Sequence, residues 1–482
     1  MIAPCTEDAM AADRELIDLT AMEAVALLRA GKVSPAELVA ASAARIAEVE
    51  PAVNALPILC LERARAQAGR IGTGNGPGWL GGLPVSVKDL DEVAGVRHTM
   101  GGSVLFENVV SKVSSPMVQV LEGNGGIPVG KSNSPEFGFN ASTINALHGP
   151  TRNPYDPRLT VGGSSGGAAA SVATGEVWLA TGSDLGSSIR LPAAFCGVVG
   201  LRPSPGRVPR GRRGMPFSTL PVLGPIARTV ADVALGMEAM AGELWSDPLS
   251  LPSAPGMFSA AVAAPIAPKR VAWSADLGVS PVDPEIAAIC AAAVARFAEA
   301  GAAVEEACPN LGEAVEVFHA IRGVNHLAAF DPLVAAEGAR VIPEIHESLA
   351  RARTVPIERF AWAERERAAM FGRLMDFFET HDVLVCPAAI MKPFPAEWRR
   401  VDRLGNHQFD SYIDWIAITF AISLLGVPVL SLPVGFTKEG LPVGVQIIGR
   451  PRADAAVLAA GAVLEQVIGA KGRLPVTPRA AA

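Results

Sequence analysis

Lys88 closes an apolar run, Pro84-Val85-Ser86-Val87-Lys88-Asp89. A lysine in that company loses hydration, which lowers its pKa and makes its neutral amine a usable base. On an edge strand the same residue would be an ordinary exposed charge. A second feature is Val161-Gly162-Gly163-Ser164-Ser165-Gly166-Gly167. By composition it reads as a flexible linker. It stands between Tyr155-Asp156-Pro157 and the apolar run AAASVATGEVWLA, however, so it reads better as a tight loop entering a buried helix. The third feature is Gly182-Ser183-Asp184-Leu185-Gly186-Ser187-Ser188-Ile189-Arg190. Successive small residues let backbone N–H groups converge on one point, the geometry an oxyanion requires. The bland alternative is a polar turn between strand and helix.

Two further motifs compete for the chemistry. The pattern GxSxG occurs twice, centred on Ser164 and on Ser165, and would suit a Ser-His-acid esterase with a later acid and histidine. Downstream histidines stand at His319, His326, His346, His381 and His407, none in an assignable context. Gly125 to Ser132 matches the phosphate-binding pattern GxxxxGKS. Here Ile127-Pro128-Val129 reads as strand, and Asn133-Ser134-Pro135 follows where a helix should begin, so nucleotide binding is not expected.

The elements that must position these groups follow from pattern. Thr20-Ala21-Met22-Glu23 is a capping box stopped by Gly31, and Ser34-Pro35-Ala36-Glu37 opens a longer helix to about Val49. Short apolar runs, LPVSVKD and GIPVGKS, then alternate with helical segments such as SPMVQVLEG, the pattern of a sheet covered by helices. Residues 246–269, rich in Pro, Ala and Ser, read as a surface connection. RVAWSAD, PEIAAICAAAVARFAEAG and AAVEEAC form a strand–helix–strand unit, and LSLPVGF-TKEG-LPVGVQIIG reads as two strands around a polar turn.

Composition narrows the class. The 482 residues are 50% hydrophobic and 18% charged, enough to bury a large core. A net charge of −7 argues against a nucleic-acid or anionic-membrane partner. Trp415 to Phe436 carries no charge, but Gly426, Pro428 and Pro433 break it into helix, turn and buried strand. Six scattered cysteines without a CxxC pair read as reduced core residues, not as a disulfide framework or a zinc site. The opening MIAPCTEDAMAADRE has no basic and apolar leader pattern, so the expected location is the cytoplasm.

GGSSGG followed by GSDLGSSIRLPAAFCGVVGLRPS resembles the amidase signature family. Lys88 lies 76 residues before Ser164 and Ser188 lies 24 after it, the family's spacing for a Ser–cis-Ser–Lys triad. GKSNSPEFGFN at 130–140 and GVPVLSLPVGFTKEGLPVGVQIIG at 426–449 resemble further family segments. The resemblance implies an α/β fold: one α/β/α domain over 1–482 around a large mixed sheet. That domain would comprise a helical part at about 1–75, the signature core at about 80–240, and the remaining sheet and pocket region at 270–482. It implies an amidohydrolase with Ser188 as nucleophile, Ser164 and Lys88 as proton relay, and a cis peptide before Ser164. The N–H groups of Leu185, Gly186, Ser187 and Ser188 would form the oxyanion hole, with Ser165, Asp184 and Arg190 in support.

No metal or organic cofactor is required by that chemistry. This chain departs from the family's usual GGSIR at Ser187, a change expected to touch substrate scope more than chemistry. Phe137, Phe139, Tyr155, Tyr412 and Trp415 are candidates for an apolar substrate pocket, or equally for core. The expected partner is a small amide, carbamate or ester, with no nucleic acid or membrane; a homodimer is allowed. The family also contains the glutamine-hydrolysing component of a tRNA-dependent amidotransferase, and a non-catalytic binding protein on the same fold is the other rival.

Overall fold

The computed structural model describes residues 14–212, 214–469 and 474–478. The opening segment, expected to hold no leader, lies outside the described residues at 1–13. Both capping boxes form. Glu23 N–H donates to Thr20 Oγ1 over 3.1 Å and opens helix Ala21–Arg29, and Glu37 N–H donates to Ser34 Oγ over 3.2 Å and opens helix Pro35–Val53. The second helix runs beyond the expected Val49. It stops where Asn54 turns left-handed (φ 51°) and Glu50 Oε1 takes the N–H groups of Ala55 and Leu56.

Among the described residues eleven strands share one mixed sheet. In chain order they are β1 (Ile58–Leu59), β2 (Pro84–Lys88), β3 (Ile127–Ser132), β4 (Leu179–Asp184), β5 (Val199–Arg202) and β6 (Val222–Ala227), followed by β7 (Arg270–Trp273), β8 (Ala303–Glu306), β9 (Val383–Pro387), β10 (Val429–Phe436) and β11 (Pro442–Ile448). Their spatial order is β1-β3-β2-β4-β6-β5-β10-β11-β9-β7-β8. Strands β3, β2 and β4 are parallel, as are β9, β7 and β8, while β4-β6-β5-β10-β11-β9 pair antiparallel.

Alternate side chains enter different cores, as the strand period demands. Val271, Val383, Val385, Leu430 and Leu432 join helices Val230–Met240 and Asp454–Ile468 on one face. Ala272, Leu384, Cys386 and Val429 pack with helix Ala417–Ser423 on the other. Burial on both faces explains why these strands read as unbroken apolar runs.

The TKEG segment is the turn of the β10–β11 hairpin, as its pattern predicts. The charge-free stretch from Trp415 becomes a short helix and then β10, and no described helix is long and apolar enough to cross a membrane. Residues 246–269 depart from the expected connection by containing helix Met257–Ala263. Its Phe258 is fully buried, and Glu238 Oε1 receives the N–H groups of Phe258 and Ser259 at its first turn. The GKS sequence ends inside β3, where Lys131 is buried against Asp89 (2.7 Å), so no phosphate loop forms.

For the site, the decisive feature is a shared edge. Parallel β2 and β4 end at Lys88 and Asp184, and open sheets bind ligands beyond such carboxyl ends.

Candidate active site

Lys88 is fully buried, and its Nζ lies 2.7 Å from Ser164 Oγ, 2.8 Å from Ser165 Oγ and 2.9 Å from Ser183 Oγ. Burial drives its pKa down to about 7, against the opposing pull of the Asp91 and Asp184 carboxylates. The Gly163–Ser164 peptide is cis. Helix Gly166–Ala173 follows at once, and every one of its residues is buried. That is why the Gly/Ser string behaves as a rigid loop. Gly163 and Gly167 also sit against neighbouring backbone that a Cβ would strike at 2.9 Å and 2.3 Å. Ser188 is half-buried, and its carbonyl receives the Ser165 N–H over 3.0 Å. Its hydroxyl and that of Ser164 share a cavity without a hydrogen bond between them; such links often tighten only with substrate bound.

The loop 184–188 is clamped from behind. Asp184 Oδ2 receives the Ile189 N–H (3.0 Å) and Arg190 Nε (3.0 Å), while Oδ1 receives Arg190 Nη2 (3.0 Å). Arg190 also reaches the carbonyls of Gly186 and Thr419 (2.8 Å each), Gln446 Oε1 (2.7 Å) and Ser423 Oγ (2.6 Å). Arg202 adds a donor to the Asp184 carbonyl. Burial alone would raise the Asp184 carboxyl, but Arg190 and Arg202 outweigh it and hold the pKa at about 2. Gly186 turns its carbonyl into this clamp. Among the described residues the N–H groups of Leu185 to Ser188 donate to no protein acceptor. A loop held by its carbonyls with its N–H groups free is suited to an oxyanion.

A cavity of about 360 Å³ opens over the serines. Phe137 and Phe139 line it, with Leu185, Met215, Phe330 and Ile416. The other three aromatic candidates do not. Tyr155 packs beside Phe436 (5.8 Å between centroids) and against Gly197, outside the cavity. Trp415 is 2% exposed and meets Phe394 edge-on. The short turn Asp414–Ile416 points Ile413 and Ile416 at the cavity instead, because positions three apart share a face there. Tyr412 stacks behind Phe139 at 6.3 Å. Ser187 lines the cavity with its hydroxyl buried and without a partner.

An amidase family model matches residues 37–458. The chain belongs to the amidase signature family. It is similar to the acylamidase of Rhodococcus erythropolis, with 36% identity over 93% of this chain and 95% of that protein. A component of the glutamyl-tRNA(Gln) amidotransferase of Thermosynechococcus vestitus is 33% identical over 90% of this chain and 94% of that one. The structure of a bacterial aryl acylamidase superposes with a TM-score of 0.86 at 29% identity, covering 94% of this chain and 99% of that one. The 6-aminohexanoate cyclic dimer hydrolase bound to its substrate gives 0.83 at 27%, over 94% and 97%. The chain is thus a hydrolase of carbon–nitrogen bonds in linear amides, on the amidase signature fold.

In this amidase none of the histidines serves Ser164 or Ser165 among the described residues. His319 bonds Asp414 (2.6 Å), His326 bonds Ser348 (2.8 Å), His346 bonds the Gly338 carbonyl (3.1 Å) and His381 lies 3.0 Å from Glu305. The exposed His407 rests on Phe409. The esterase pattern therefore lacks its base. No cluster of three His, Cys, Asp or Glu side chains among the described residues could hold a metal ion. Sequence reading missed Ser183, which contacts Lys88. It also missed the contribution of helix Ala314–Glu337, which brings Arg322, Asn325, His326 and Phe330 to the cavity. Ser183 was legible, one residue before the strand end; the helix carries no local signal of what it faces.

Proposed function

We propose that this amidase cleaves a small aryl or alkyl amide through an acyl-enzyme on Ser188. The observation that carries the reading is the buried Lys88 amine, poised near neutrality and 2.7 Å from Ser164 Oγ. Neutral Lys88 takes the Ser164 proton as Ser164 takes that of Ser188, whose oxygen attacks the carbonyl carbon. The resulting oxyanion faces the N–H groups of Leu185, Gly186, Ser187 and Ser188. Collapse breaks the C–N bond, and Ser164 passes the proton to the leaving amine. Water then attacks the ester, with the relay as base, and releases the acid and free Ser188. The same steps serve a carbamate or an ester, since each passes through a tetrahedral oxyanion. The acylamidase and aryl acylamidase relatives support the amide as substrate.

Labelling with a fluorophosphonate, peptide mapping of the adduct, and rates on anilides, primary amides, carbamates and esters test the reading together. An adduct on Ser164 or Ser165 would replace it with a nucleophile-elbow mechanism. The amidotransferase relatives favour a second reading, a glutamine amidase working inside a larger assembly. Under that reading, ammonia release from glutamine should exceed turnover of every anilide tested.

A further inference from the structure

Arg322 is 5% exposed and stands in the wall of the cavity that holds Ser164 and Ser188. Its guanidinium carbon lies 4.9 Å from the Phe139 ring centre, 5.6 Å from that of Tyr412 and 5.9 Å from that of Phe318. Its described hydrogen bond goes from Nη2 to the Tyr412 hydroxyl, 2.5 Å away. No carboxylate lies within ion-pair distance of it among the described residues. The neighbouring acids are engaged elsewhere: Glu344 holds Arg399 (2.7 Å), Glu347 faces Arg400 (3.8 Å) and Asp414 holds His319. Within the cavity wall, Asp91 interacts with Arg210.

A buried guanidinium without a carboxylate is costly, and π faces with one phenol oxygen compensate only part of that cost. Five N–H donors in a rigid fork favour a planar, two-oxygen acceptor. Phe139 connects this charge to the reacting groups. Its chain neighbour Gly138 comes so close to the relay that a Cβ there would sit 3.4 Å from Ser164 Oγ. Arg322 is therefore one ring removed from the serines, in a water-poor wall where an opposite charge is felt strongly.

We infer that Arg322 is a specificity-determining residue, which receives a carboxylate carried by the substrate away from the scissile amide. The inference rests on the amide-hydrolase reading and names a substrate class within it: amides whose acyl or amine half ends in an anion. The carboxylate would complete the guanidinium's hydrogen bonds while Phe137, Phe139 and Phe330 enclose the apolar spacer.

The test compares matched pairs. Monoanilides of four- to six-carbon dicarboxylic acids are set against neutral anilides of equal chain length, and N-acyl-4-aminobenzoates against N-acylanilines. Wild type should favour the charged member of at least one pair by about tenfold or more in kcat/KM, the worth of a charge-assisted pair. Arg322→Gln should bring that ratio to about one, mainly through KM, and Arg322→Lys should keep part of it. Tyr412→Phe, which removes the hydroxyl that holds Arg322 but leaves the charge and the ring in place, should leave the ratio standing. A wild-type ratio at or below one in both pairs overturns the inference even if no Arg322 variant folds. Should Ser188 still be labelled in that case, the amide-hydrolase reading survives alone; failure of the label in wild type would sink the reading itself.

Discussion

Replacing Lys88 by Met should make the enzyme more stable below pH 7 and nearly inactive. A fall in lysine pKa from 10.5 to about 7 corresponds to about 5 kcal/mol in favour of the neutral amine, at 1.36 kcal/mol for each tenfold. Unfolded Lys88 regains its ordinary pKa, so between pH 7 and 10.5 the unfolded chain binds the extra proton and stability rises with pH. Below pH 7 both states are protonated, and the folded state bears the whole cost of a buried ammonium. Methionine removes that cost, but it strips a partner from the hydroxyls of Ser164, Ser165 and Ser183, about 1 kcal/mol each. The net is a gain of about 2 kcal/mol at pH 6 that turns into a loss near pH 10. Denaturant melts of both proteins across this range measure the difference directly. On the kinetic side, an unperturbed lysine would be neutral in about one molecule in 3,000 at pH 7, whereas here about half are neutral. Wild-type acylation should thus rise about tenfold per pH unit below 7 and level off above 8, and Lys88→Met should lose both the rise and at least ~10³ in rate. A stability difference that stays constant from pH 6 to 10, or a variant with a native pH profile on an anilide, would refute the reasoning and leave Lys88 a structural residue.

Other consequences follow from the same geometry. Ser188→Ala should abolish fluorophosphonate labelling while Ser164→Ala slows turnover by roughly 10²–10⁴, the usual weight of proton transfer, as read by stopped-flow acylation. Ser187→Gly should keep the label and widen acceptance across an acyl-length series, because it deletes an unpartnered hydroxyl from the cavity wall; an unchanged series would mean the hydroxyl leaves substrate untouched. Asp184→Asn should destabilise the fold by about 3–5 kcal/mol in denaturant melts, since two buried guanidinium groups would lose their counter-charge. A loss under 1 kcal/mol there would show that the Asp184 charge contributes little to the clamp.

Much of this was legible where chemistry and local pattern coincide. A lysine inside an apolar run, a Gly/Ser loop abutting a buried helix, and two capping boxes each declare their environment within a few residues. So does the hairpin around TKEG, which a polar turn between two apolar strands makes unambiguous. The resemblance added what local pattern could not: that Lys88 and Ser164, far apart in sequence, meet in space. The pocket was not legible. Phe137, Tyr155 and Trp415 are all aromatic residues, and only the packing of distant elements turns the first toward the cavity, the second against Phe436 and the third into core. Helix Ala314–Glu337 was silent for the same reason, since its cavity-facing residues owe their role to how it packs against helices Pro343–Arg353, Ile357–Thr380 and Ala417–Ser423. The helix at Met257–Ala263 depends on Glu238, a residue outside the segment whose composition suggested a loop.

The clamp of Arg190 has a consequence for how this enzyme is made. One side chain joins the loop after β4 to the carbonyl of Thr419, the hydroxyl of Ser423 and the amide of Gln446. Lys88, Ser164 and Ser188 all leave the ribosome long before those braces exist. A nascent chain halted at residue 400 would carry all three residues proposed to react and still have a loop without its backing. Activity should therefore switch on late in synthesis, as β10 and β11 close the sheet. A pair of fragments divided between residues 400 and 410 should be inert apart and recover turnover only on reassociation. By that reasoning the order of emergence itself guards the enzyme, since the loop would gain its backing only when the last strands have docked.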